Sequence, residues 1–457
     1  MSPTKIAPIA LAALASTLCF ASGARAQEMH HDHTAHQAAP PATPPEHSGH
    51  AQHDHAATAP QTQAAVHSAH GGMAGALGRY AMNQDASGTS WQPASTPMEG
   101  MHGALGDWTT MVHGFANLIY DSQGGPRGGT DTFSQSMLMG MAQRDFGASK
   151  LTLRAMLSLD PLMGDEGYPL LLQTGETADG VTPLIDRQHP HDFFMELAGL
   201  YSHRLSETSS AYLYLGYPGE PALGPPTFMH RLSGVSNPEA PLGHHWLDAT
   251  HITFGVATLG YVYSDWKIEG SLFSGREPDQ HRWDFDGATF DSASTRVTWN
   301  PSDNLSFQVS YGFLKSPEQL EANKNQHRLT ASATYNRKLA NGNWQTTFAW
   351  GRNNLQPGPE LNAYLLETAY GWDRHTIFGR AENDQKNELF ADPHPLHGTR
   401  FDVSKLSLGY IYDFPIAEHV SLGIGGLVSV YALPKRLDAF YGSDPMSSML
   451  FARVKIL

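Results

Sequence analysis

One cysteine, Cys19, stands among 457 residues, and it falls within the first twenty-six. An exported chain that loses that segment has no thiol, which excludes a disulfide framework and a thiolate metal site. Only 16% of the residues are charged, with 29 Lys and Arg against 44 Asp and Glu, a formal net charge of −15. That balance excludes the basic surface nucleic acid requires, while it permits attraction of cations. Beyond the N-terminus no run of about 18–20 apolar residues occurs, so no transmembrane helix is expected. Gly-x-Ser-x-Gly, His-Glu-x-x-His and phosphate-loop patterns are also missing, so the chain is not expected to be an enzyme.

What is present begins with residues 1–26. Lys5, the apolar run from Ile6 to Phe20 and Ala24-Arg25-Ala26 compose a secretory signal peptide. Leu18 before Cys19 is not the small residue that lipidation needs. Residues 27–106 follow as a tail and linker expected to be disordered and periplasmic. Within 28–72 lie ten histidines: His30, His31, His33, His36, His47, His50, His53, His55, His67 and His70. A polar stretch with no apolar period has no core to bury, and ten tethered imidazoles suit borderline metals such as Cu²⁺ or Zn²⁺. Over 73–106 the ligands soften to Met73, Met82, Met98, Met101 and His102, and thioethers favour Cu(I) or Ag(I).

From 107 to 457 one rhythm persists. Alternating segments of about 10–14 residues are joined by connections that are short, then long, then short. The short ones fall at 145–149, 206–209, 264–265, 301–304, 340–343, 373–375 and 415–418; eight long ones lie between them. Fifteen connections join sixteen strands. Leu305, Phe307, Val309 and Tyr311 alternate with Ser306, Gln308 and Ser310, and Val420, Leu422 and Ile424 with Ser421 and Gly423. Aromatic pairs Tyr261/Tyr263, Tyr370/Trp372 and Tyr410/Tyr412 fall near strand ends, where a membrane girdle sits. The polar parity carries Arg154, Asp160, Glu196, Glu269, Arg296, Glu367 and Arg380. A soluble propeller would bury one face of each strand, whereas these charges suit a wet lumen. The fold class expected is all-β: a transmembrane, antiparallel, up-and-down β-barrel of about sixteen strands.

This layout resembles a Gram-negative outer-membrane β-barrel. A His/Met-rich exported segment before the barrel resembles the copper-resistance outer-membrane proteins of the B type, in organisation and not in any shared motif. One departure concerns the end, Met449-Leu450-Phe451-Ala452-Arg453-Val454-Lys455-Ile456-Leu457, whose apolar parity of Leu450, Val454 and Ile456 leaves Leu457 one residue out of frame. The resemblance implies a cell outer-membrane location with the tail in the periplasm.

Chemistry concentrates in two long loops. One, at 160–190, leads into Asp186-Arg187-Gln188-His189-Pro190-His191-Asp192. The other, at 217–250, carries Phe228-Met229-His230-Arg231 and then GHHWLDATHITFGVATLGYVY over 243–263. Two turns of helix would place His244, Asp248 and His251 on one face, with His245 beside them. Folded inward, the loops could unite Asp186, His189, His191, His244, Asp248 and His251, with Met229 and His230 adding soft and borderline ligands. The alternative is that these histidines only make hydrogen bonds within packed loops. A second cluster, Met111 and His113 with Met137, Met139, Met141 and Met156, forms a thioether ladder if it faces inward; packing is its blander role. Met98, Met101 and His102 form a third group.

The function expected from these features is an outer-membrane barrel handling transition-metal ions, copper first, in tolerance, export or sequestration. No cofactor is required, and copper and zinc are the candidate bound ions. Expected partners are outer-membrane lipid, metal ions and periplasmic metal-efflux or metallochaperone components. The alternatives are a passive porin for small polar solutes and a periplasmic metal sponge anchored by a closed barrel.

Overall fold

The computed structural model describes residues 74–456. The expected signal peptide and the histidines His30, His31, His33 and His36 lie outside the described residues. The strands are β1 (Met101–Leu105), β2 (Trp108–Gln123), β3 (Thr130–Phe146), β4 (Ser149–Leu157), β5 (Tyr168–Thr177), β6 (Pro183–Gln188), β7 (Phe194–Arg204), β8 (Ser209–Gly216), β9 (Val256–Tyr263) and β10 (Trp266–Phe273). They continue as β11 (Ser292–Ser302), β12 (Leu305–Leu314), β13 (Asn325–Leu339), β14 (Gly342–Gln356), β15 (Glu360–Trp372), β16 (His375–Lys386), β17 (Phe401–Ala417), β18 (Val420–Ala432) and β19 (Met446–Ile456). β2, β3, β4 and β7 through β19 pair in sequence, all antiparallel, and β19 pairs back with β2. The ring is a closed sixteen-stranded barrel, as the alternation predicts. All seven short connections fall at one end, and Ser264 and Asp373 take the left-handed backbone that tight turns require.

Each wall strand sorts its side chains by parity. Along β11, Ser292, Ser294, Arg296, Thr298 and Asn300 are buried, while Ala293, Thr295, Val297 and Trp299 are not. Val309, Leu366, Leu406, Leu408 and Leu450 stand on the outside of their strands, all exposed. Such a girdle of bare apolar surface is stable only against lipid. At the short-turn end the outside is aromatic: Trp266 stacks on Trp299, Trp299 on Phe307, and Trp372 on His375. The inside carries the charges expected there, Arg154, Asp160, Glu196, Glu269, Arg296, Glu367 and Arg380, all buried.

Among the described residues two segments fill the lumen beside the β5–β6 hairpin, whose Tyr168 stacks on Phe133 of β3 and accepts from the Ala240 N–H. The connection between β8 and β9 crosses the lumen. Glu239 reaches Lys405 on β17 at 3.0 Å, Arg231 reaches Glu367 on β15 at 2.6 Å, and the Leu242 N–H donates to Glu382 on β16. The second filler is residues 74–98, which correct the expectation of a disordered linker over 73–106. Lys150 donates to the carbonyls of Ala74 and Gly75, Arg154 to that of Gly88, Lys267 to that of Thr89, and Arg296 to the Thr89 hydroxyl. Trp91 is buried, edge-on to Tyr80 at 5.0 Å, with Lys267 over its ring. The segment holds its place by giving backbone acceptors to cations of the wall, a pairing that satisfies buried groups on both sides. The aqueous channel that sixteen strands allow is therefore occupied.

β1 has a different placement. It runs antiparallel on β2, with Met101 opposite Val112 and Leu105 opposite Trp108, whereas β19 covers β2 only from Gln123 to Gly114. Both lie on the same edge of β2, one after the other.

The filling segment predicts a pH effect. Glu220, in the β8–β9 connection, accepts from Thr227 and packs against Gly88. Burial pushes its carboxyl up from 4.5 to about 7, against the opposing charge of Arg296. A raised carboxyl favours the folded state while protonated. Its contribution, about 3 kcal/mol, is full below pH 4.5 and lost as pH rises through 7. Proteolysis of residues 74–98 should be slower at pH 5.5 than at pH 8, and Glu220→Gln should flatten that difference. An unchanged pH profile in the variant would exclude Glu220 as its origin.

Candidate metal centre

The β8–β9 connection reaches its histidines through short, broken helical turns. A turn at Phe228–His230 is followed by α1 (His244–Leu247) and a further turn at Ala249–His251. α1 is a single turn and stops at Asp248, whose φ of −144° leaves the helical region. The expected continuous helix face bearing His244, Asp248 and His251 is thus not formed. The imidazoles gather all the same. Ring centres lie 5.2 Å apart for His244 and His251, 5.3 Å for His191 and His251, 5.7 Å for His244 and His245, and 6.2 Å for His189 and His245. All five are buried. They form a chain of rings, since their ligand atoms do not close within the 4.8 Å spacing that one ion would need.

Four of the rings are oriented alike. Nδ1 of His244 faces Asp248 Oδ1 at 2.7 Å, Nδ1 of His191 faces Asp160 Oδ2 at 2.8 Å, and Nδ1 of His251 and His189 face the carbonyls of Asp248 and Pro190 at 2.9 and 3.1 Å. An acceptor at Nδ1 fixes the proton there and leaves the Nε2 lone pair for a metal, although Nε2 of His189 lies 3.2 Å from Glu176 Oε1. Burial lowers the pKa of His244 and sets those of His245 and His251 well below the ordinary value, and that of His189 at about 3. Neutral rings are what a cation can use. Among the described residues Nε2 of His245 and of His251 has no hydrogen-bond partner.

Two expected ligands have other work. Asp248 gives one oxygen to His244 and the other to Arg231 at 2.9 Å and the Phe228 N–H, so it orients a ring and anchors a loop. Burial pushes its carboxyl up, but His244 and Arg231 outweigh that and hold it below the usual range. Asp186 lies away from the histidines, accepting from the Leu172 N–H at 2.7 Å and pairing with Arg127 at 3.0 Å. It is corrected out of the cluster. Asp160, which orients His191, carried no local sequence signal as a partner.

The methionines form a second centre, nearer the short turns. The ladder faces inward: Met111 sits opposite Met141, His113 opposite Met139, and Met139 opposite Met156, all within the barrel. Met111, Met137, Met139 and Met141 line one cavity of about 170 Å³ with Met82 and Met98 of the filling segment and with Met229 and His230 of the β8–β9 connection. Seven of the chain's sixteen methionines thus meet at one void, together with His113. Nε2 of His113 lies 3.2 Å from the Met139 sulfur, close to the roughly 3.5 Å that tetrahedral nitrogen and sulfur ligands of one ion keep. The rings of His113 and His230 are 6.2 Å apart; burial lowers His230 to about 3, and its Nε2 is unpartnered among the described residues. Met101 and His102 lie on β1 outside this cavity, His102 exposed, so only Met98 of that expected trio takes part.

The two centres adjoin through Phe228-Met229-His230. Phe228 lies 5.6 Å from the His244 ring and 6.4 Å from the His191 ring, while Met229 and His230 line the methionine cavity.

No protein-family model matches the sequence, and no curated protein matches it. Among solved structures, the chain is similar to Salmonella typhi OmpF in complex with daunomycin, at 9% identity over 78% of this chain and 100% of that one, with a TM-score of 0.48. It is also similar to Pseudomonas putida OprB at high pH, at 8% identity over 77% and 94% with a TM-score of 0.47. An anion-selective porin from Comamonas acidovorans matches at 11% identity over 76% and 100%, with a TM-score of 0.45.

Proposed function

We propose that this transmembrane barrel resides in a Gram-negative outer membrane and handles a soft transition-metal ion, Cu(I) foremost, along an internal line of imidazoles and thioethers. The observation that carries this reading is the cavity where seven methionines meet His113 and His230. Thioethers are neutral, polarisable donors that bind Cu(I) or Ag(I) and hold hard cations weakly. Met139 and Met156, and Met111 and Met141, face each other across strands, so an ion can exchange one sulfur for the next without passing through bare hydrocarbon. The oriented imidazoles of His244, His251 and His191 continue the line toward the long loops. This line suits tolerance, export or sequestration, with periplasmic metal-binding proteins as exchange partners.

The passive-porin reading has one feature in its favour, the charged inner wall. Those charges are engaged: Arg231 with Asp248 and Glu367, Arg296 with Glu269, and Lys405 with Glu239.

The test joins Cu(I) X-ray absorption of the full chain with bilayer conductance. Met111→Leu/Met139→Leu/Met141→Leu keeps side-chain volume, at below about 1.5 kcal/mol for each site. The wild type should show a copper–sulfur shell at about 2.3 Å, and the triple variant, with four cavity methionines left, should show fewer sulfur ligands and about tenfold weaker Cu(I) binding. Steady salt conductance by the wild type, with copper binding equal in both proteins, would replace this reading with the porin.

A further inference from the structure

We infer a second metal site of different chemistry at the long-loop end: His245, Glu277 and Glu318 form a nitrogen–oxygen site for a borderline divalent ion such as Zn²⁺. The three come from three separate connections, β8–β9, β10–β11 and β12–β13. Their ligand atoms lie within 4.8 Å of one another, with His245 Nε2 3.9 Å from Glu277 Oε2 and His245 Nδ1 3.9 Å from Glu318 Oε1.

What singles the site out is unmet bonding capacity. His245 and Glu277 are each only 7% exposed. Among the described residues, His245 Nε2 and both carboxylate oxygens of Glu277 lack any hydrogen-bond partner. Buried polar groups are nearly always paired, and a bare buried carboxylate is among the costlier exceptions. Three such atoms gathered in one place, with Glu318 beside them, suit a cation held by one nitrogen of His245 and the two carboxylates. A divalent ion would be neutralised by the two carboxylates, and ligand distances of about 2.0–2.2 Å need the three side chains to draw together from their present spacing within 4.8 Å.

Other features bear on the same ion. Both carboxyls also feel the buried Arg328 guanidinium, which supplies part of their counter-charge, while Glu388 adds charge of their own sign. His245 is neutral, held well below its ordinary value by burial. Its backbone carbonyl accepts from Asn353 at 3.0 Å. Gly175 lies under the ring, where any β-carbon would come within 1.8 Å of Cε1, so glycine there admits the imidazole to this position. The set holds no thioether, which separates it from the methionine cavity: imidazole and carboxylate suit Zn²⁺, Co²⁺, Ni²⁺ or Cu²⁺ over Cu(I). The inference therefore stands without the reading proposed above.

The decisive measurement is anomalous diffraction from crystals of the full chain soaked in Zn²⁺ alone, collected on both sides of the zinc absorption edge. Locating the ion in space separates this site from the histidine-rich tail. A peak between His245, Glu277 and Glu318 above the edge, absent below it, is expected. It should vanish in His245→Gln and in Glu277→Gln. Glu277→Gln keeps the shape and removes a buried charge, so its loss of zinc cannot be ascribed to misfolding when the barrel diffracts as before. No peak in the wild type, or a peak surviving in both variants, would overturn the site and leave Arg328 as the counter-charge of the two carboxylates.

Discussion

Arg231→Met is expected to release the β8–β9 connection from the lumen. Arg231 is 1% exposed and holds Glu367 at 2.6 Å, Asp248 at 2.9 Å and the Pro226 carbonyl at 2.6 Å. One guanidinium fork thus joins the barrel wall, the histidine cluster and its own loop, its planar donors spread wider than those of a lysine ammonium. Removing it leaves two buried carboxylates short of a partner, at a cost of about 3–5 kcal/mol. Protease cleavage within residues 217–255 should rise about a hundredfold or more, at 1.4 kcal/mol per decade. Cleavage at the wild-type rate would show that Glu239 with Lys405, Ser407 and Ser429 suffices to anchor the loop.

The second large effect concerns residues 74–98. Deleting them strips acceptors from Lys150, Arg154, Lys267 and Arg296, leaving four wall cations against Glu196 and Glu269. Combined with Arg231→Met, the deletion should yield a conducting barrel that prefers anions, measured as a reversal potential across a KCl gradient. The full chain should conduct far less. A double variant as closed as the wild type would mean that the remaining loops shut the barrel by themselves. A cation preference would mean that the exposed arginines and lysines had found other partners.

The wall was legible in the sequence because its signal is local. Alternation over ten residues and a turn of Asp-Arg or Asn-Gly type can be read without knowing what lies across the lumen. Residues 74–98 carry no such period. Their small and polar side chains bury themselves through backbone carbonyls held by distant lysines and arginines, an attachment written in β4, β10 and β11 and not in the segment. The methionine ladder showed in the parity of Met137, Met139 and Met141, but its convergence with Met82, Met98 and Met229 depends on two inserted segments. The nearness of His244 and His251 in sequence anticipated the nearness of their rings; the part of Asp248 in anchoring the loop did not show, because Arg231 stands seventeen residues away. Glu277 and Glu318 were invisible for the same reason, each being one carboxylate in an ordinary loop. Asp186 was grouped by proximity in sequence and went instead to Arg127.

The placement of β1 bears on how the barrel is sealed. β19 and β1 run in the same direction along one edge of β2, with only the position opposite His113 between Ile456 and Met101. Together they act as a single strand spliced from two distant parts of the chain. β19, which follows the other wall strands, covers β2 from Gly114 to Gln123, and β1, which precedes them, covers it from Trp108 to Val112. A barrel whose N-terminal segment has not arrived keeps five residues of β2 as an open edge, able to template a neighbour. Closure thus works as a check on assembly, complete only when the segment that fills the lumen is also in place.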